Sequence, residues 1–126
     1  MNMDNTDNFT KYSEQSHRYL QNAQKFLEKE DLDKASEFLW GAAAQAVKAL
    51  AAKRGLILKT HSDLWEFMRE LATEIKDSTL YEDFRTANYL HSNFYEIELG
   101  PHEILSATEQ VKRLITRLFE IAEAIK

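Results

Sequence analysis

The chain has 126 residues and a net charge of −5, from 21 acidic and 16 basic side chains. This length suits one domain with a single core, and the acidic balance weighs against a surface that tracks a long nucleic-acid backbone. With no cysteine present, disulfides, a thiol nucleophile and a cysteine-ligated metal are all excluded.

One proline and three glycines, amid abundant Ala, Leu, Glu and Lys, predict an all-α protein. Residues 1–9 are polar and acidic, with no apolar run behind a basic start. They read as a flexible tail rather than a signal peptide, ahead of one helical domain over 10–126. The longest apolar run, 38–44, is far too short to span a bilayer. These features and the missing cysteines predict a cytoplasmic protein with no membrane partner.

Over 10–29 the apolar positions Tyr12, Tyr19, Leu20, Ala23, Phe26 and Leu27 follow one helical stripe. Glu30-Asp31 breaks it. The stretch 33–55 then carries Ala42, Ala43, Ala44, Ala46, Ala49, Ala51 and Ala52 among Phe38, Leu39, Trp40, Val47 and Leu50. A helix apolar over most of its circumference is a central helix, buried on several sides, and Gly55 is its stop. The two form an antiparallel hairpin. Ala23, Phe26 and Ala35 give it the flavour of a tetratricopeptide unit, but no second copy follows.

Residues 56–60 form an apolar loop expected to pack down. Ser62 or Asp63 is placed to cap a third helix with stripe Leu64, Phe67, Met68, Leu71 and Ile75. After a turn at 77–79, a fourth helix is expected over 80–95. Leu99-Gly100-Pro101 is the sharpest punctuation, with Pro101 in the first turn of a last helix carrying Ile104, Val111, Ile115, Leu118, Ala122 and Ile125. The prediction is an up-and-down bundle of about five helices.

The chemistry, if any, sits in 85–96. At about 100° per residue, with Arg85 at zero, Asn88 falls near −60°, Tyr95 near −80° and His91 near −120°, while Ala87, Leu90 and Phe94 gather at about 140° to 200°. The polar arc therefore flanks the core-facing stripe, which suits a cleft wall or subunit interface. Such a group could cleave an RNA phosphodiester without a metal. Histidine moves a proton to or from ribose oxygens, arginine holds the phosphate in a planar fork, asparagine orients, and tyrosine stacks on a base. The plainer reading is that His91 is a boundary histidine and Arg85 pairs with Glu82 or Asp83 or with a neighbouring helix.

Elsewhere, Glu14-x-x-His17 has the spacing of a di-iron ligand pair, but no second copy exists. His61 and His102 lie at helix starts, where loop or capping roles are expected. Lys48, Lys53, Arg54, Lys112, Arg113 and Arg117 could form a small positive patch but read rather as solvated helix faces, and Trp40 and Trp65 as core or dimer contacts rather than base-stacking platforms. No phosphate-binding glycine loop or hydrolase motif occurs. No metal or other cofactor is expected.

Tyr19-Leu20-x-x-Ala23, then Glu30-Asp31-Leu32-x-x-Ala35-Ser36-Glu37 entering the alanine-rich helix, and finally Leu90-His91-Ser92-Asn93-Phe94-Tyr95-Glu96 behind Arg85 together span most of the chain. This pattern resembles the HEPN superfamily, and within it the PaREP-type proteins known mainly from archaea. The resemblance implies a HEPN-like bundle that forms a homodimer, bringing two Arg/His motifs to a shared cleft. In many members that cleft is a metal-independent RNase used in toxin–antitoxin and defence systems. It carries over Arg85 and His91 as the catalytic pair, with Asn88 between them, and Ser92, Tyr95 and Glu96 as binding residues. The alternative it implies is a catalytically silent module that binds a nucleotide or a protein partner, such as an antitoxin or a nucleotidyltransferase.

Overall fold

The computed structural model of the chain describes residues 5–92 and 100–125. The described residues form five helices: α1 (Asn5–Glu28), α2 (Leu32–Lys53), α3 (His61–Ile75), α4 (Ser78–Ser92) and α5 (Pro101–Glu123). Among the described residues there is no strand. No helix there is long and apolar enough to cross a membrane.

α2 is the hub, packing against α1, α3, α4 and α5. Its alanines let the neighbours come close: Ala35, Ala42, Ala43, Ala46, Ala49 and Ala51 are almost entirely buried, with Leu39, Val47 and Leu50 filling the space between. On the α1 side the approach is tightest at Gly41, where a Cβ would stand 3.0 Å from the Tyr19 ring. One turn earlier in α1, the buried Ser16 hydroxyl donates to the Ala42 carbonyl at 2.8 Å. Phe84, Leu80 and Leu90 of α4, and Leu114, Leu118 and Val111 of α5, complete the core.

The connections after α1, α2 and α3 are short because each of these helices ends in a defined stop. After α2, Gly55 takes a left-handed φ of 79°. Its N–H donates to Ala52 and the Leu56 N–H reaches back to Ala51, the paired bonds of a Schellman ending. Glu30 and Lys76 occupy the same conformation without being glycine, at φ 60° and 55°.

Three local expectations are revised. α1 takes in residues 5–9 of the stretch read as tail, because Phe9 finds an apolar partner in Phe119, ring centroids 6.2 Å apart. In the loop after α2 only Leu58 packs against the core, whereas Leu56 and Ile57 are exposed. The cap of α3 is Thr60, not Ser62 or Asp63. Thr60 Oγ1 accepts the Asp63 N–H at 3.0 Å while the Asp63 carboxylate accepts the N–H groups of Lys59 and Thr60, a reciprocal capping box.

Candidate functional site

α4 presents its buried face through Leu80, Phe84, Ala87 and Leu90, and the polar arc lies beside it. Asp77 starts the helix by accepting the N–H groups of Thr79 and Leu80. Asp83, buried on the core side, is held by Arg113 of α5 through two hydrogen bonds of 2.8 and 2.7 Å. The same contact holds the Arg113 guanidinium above its ordinary pKa, the Asp83 hydrogen bond being the main cause. The rotational setting of α4 is therefore fixed on two sides, by packing and by this ion pair.

His91 stands exposed at the end of α4, its ring 5.4 Å from the Trp40 ring and inclined by only 22°. Trp40 also stacks on His61, the first residue of α3, at 5.0 Å and 13°. The two imidazoles are 5.4 Å apart at 20°. Three rings in a column would leave the outer pair at twice the neighbour spacing, whereas these centroids form a nearly equilateral triangle. The imidazoles thus stand next to each other on a largely buried indole, itself backed by Phe84.

Asn88, one turn before His91, joins the group: His61 Nε2–H donates to Asn88 Oδ1 at 3.2 Å. The capping box puts His61 there, since it fixes the first turn of α3. The backbone N–H groups of Lys59 and Thr60 hold the Asp63 carboxyl below its ordinary pKa, so that anchor stays charged near neutral pH.

Arg85 lies elsewhere. Its Nη1 is 3.4 Å from Glu82 Oε1, both side chains being well exposed, in a shallow depression shared with Thr86 and Tyr89. Within one chain the structure thus joins His91 and Asn88 to each other's surroundings and leaves Arg85 on an adjacent patch. Tyr95, Glu96 and the side chain of Ser92 lie outside the described residues. Among the described residues, no group of three or more His, Cys, Asp or Glu side chains is placed to hold a metal ion.

Sequence reasoning missed His61 and the role of Trp40. The only available signal was Thr60-x-x-Asp63, which identifies His61 as a first-turn residue but not what it faces. The three arginines among the basic residues read as solvated faces form ion pairs: Arg54 with Glu74, Arg113 with Asp83 and Arg117 with Asp77. His17 of the Glu14-x-x-His17 pair lies against Phe119. It borders a groove of about 600 Å³ between α1 and α5, lined by Phe9, Leu20, Ile115 and Phe119.

A sequence model described as the archaeal PaREP1/PaREP8 family matches residues 11–115. No curated protein is a significant match to the chain. Among solved structures, the crystal structure of a protein from Sulfolobus solfataricus is similar, with a TM-score of 0.74 and 23% sequence identity over 84% of this chain and 94% of that one. At that identity the likeness speaks for the fold.

Proposed function

Since the chain belongs to the archaeal PaREP1/PaREP8 family, we propose that it is a HEPN-type ribonuclease cleaving RNA without a metal through Arg85, Asn88 and His91. The observation that carries this reading is the placement of His91, solvent-exposed on the Trp40 ring with Asn88 one turn back on the same flank. An imidazole so placed can exchange protons with a bound ribose or leaving oxygen. Arg85, also exposed, supplies the charge that a phosphorane-like transition state needs. Because Arg85 and His91 occupy neighbouring patches of one chain, the reading includes a homodimer in which each cleft combines residues of both subunits. Ser92, Tyr95 and Glu96 are proposed to contact the substrate.

The test is cleavage of RNA by the purified protein in EDTA. Products with 2′,3′-cyclic phosphate or 3′-phosphate ends are expected, and Arg85→Ala and His91→Ala should each lower the rate about 100-fold or more while keeping wild-type helicity. Undiminished cleavage by both variants would rule this reading out.

A second reading is a silent module that binds a nucleotide or a protein partner with the same flank. The Arg85–Glu82 ion pair favours it, since a neighbouring carboxylate competes with phosphate for the guanidinium. Here the protein binds ligand or partner without turnover.

A further inference from the structure

We infer that His61 is a second catalytic imidazole, acting with His91 as an acid–base pair on the face of Trp40. This rests on the ribonuclease reading above and adds to it a residue from another helix. Transesterification of RNA needs two proton transfers at once: one off the 2′-hydroxyl and one onto the departing 5′-oxygen. These oxygens lie on opposite sides of phosphorus in an in-line displacement, so acid and base have to flank the phosphate. Two rings one behind the other would not do this. The triangular arrangement, with His61 and His91 each beside Trp40 and 5.4 Å from one another, is not such a column, and both imidazoles are exposed and close enough to serve one phosphate.

The hydrogen bond to Asn88 fixes which His61 nitrogen is free. Asn88 Oδ1 accepts from His61 Nε2–H, so in the imidazolium form the Nδ1–H is the proton left to deliver. In this proposal His61 is the acid and His91 the base. Neutral His91 takes the 2′-hydroxyl proton, and the 2′-oxygen forms its bond to phosphorus. The bond from phosphorus to the 5′-oxygen breaks with its electron pair on oxygen, and His61 gives that oxygen its proton. A 2′,3′-cyclic phosphate and a 5′-hydroxyl result. Solvent returns the protons, with no metal or redox partner. Trp40 holds the two ring planes and favours a cation above its face.

The test compares wild type, His61→Gln, His61→Asn and His91→Gln on ordinary RNA and on RNA whose scissile 5′-bridging oxygen is sulfur. A thiolate leaves without being protonated. His61→Gln and His61→Asn should lower kcat about 100-fold or more on ordinary RNA with little change in KM, and recover most of that loss on the sulfur substrate, whereas His91→Gln should be impaired on both. If the His61 variants cleave ordinary RNA at the wild-type rate while His91→Gln does not, the pair is refuted and the ribonuclease reading stands. If their loss persists unchanged on the sulfur substrate, His61 is only a support for His91 and the pair is again refuted. Absence of cleavage by the wild-type protein removes both.

Discussion

Asp83 and Arg113 illustrate how much one pair of residues does for this bundle. Asp83 is 2% exposed, so its charge is tolerated only because the Arg113 fork meets both carboxylate oxygens. Removing one partner of such a pair costs far more than the pair contributes, because the remaining group is left unsatisfied. Arg113→Ala strands that buried carboxylate and is therefore expected to lower Tm by roughly 10 °C, measured by thermal circular dichroism, and Asp83→Leu by less, since it leaves Arg113, whose side chain is 58% exposed, to solvent. At this scale the sequence was only half readable. Spacing along the helix offers Arg85 both Glu82 and Asp83, and the structure pairs it with Glu82. Arg113 lies 30 residues further along, a separation that no local spacing rule reaches. His61 escaped notice for the same reason. Its neighbours Trp40, Asn88 and His91 come from two other helices, and periodicity within a helix says nothing about which faces meet.

At the scale of the element, helix bodies were legible and helix ends less so. The stripes over α1, α3 and α5 follow from apolar spacing, because an amphipathic helix has only one face to bury. Ends depend on a few backbone angles, and two of the three left-handed stops use residues that carry no signal for them. Glu30 and Lys76 each hold a conformation that costs an L-residue roughly 1–2 kcal/mol, while Gly55 adopts it freely. Glycine at either site regains that strain but increases the freedom of the unfolded chain by somewhat less. Glu30→Gly and Lys76→Gly should each stabilise the protein by about 0.5–1 kcal/mol, read as a higher urea midpoint at unchanged m-value. A lower midpoint would show that these side chains contribute more than their strain.

For the whole molecule, composition alone was enough to indicate an all-helical bundle, and the alanine-rich stretch indicated which helix lies at its centre. What composition could not indicate is how one copy meets another, since assembly depends on which surfaces match. If the proposed cleft draws Arg85 from one subunit and His91 from the other, mixing Arg85→Ala with His91→Ala should restore activity that neither has alone. Random exchange makes half the dimers mixed, each with one intact cleft of two, so recovery to about a quarter of the wild-type rate is expected after subunit exchange. A mixture as inactive as its components would place both residues of each site on a single chain.

Across the bundle, α1 shares its long packing surface with α2, and meets α5 through ring contacts such as Phe9 and His17 on Phe119. A helix fastened along one seam can lift away while the other four keep their mutual support. Such peeling would uncover Ala42, Gly41 and the floor of the α1–α5 groove, while the contacts of Trp40 with His61, Phe84 and His91 lie on α3 and α4. The fold thus separates the side on which it can yield from the side on which chemistry is proposed.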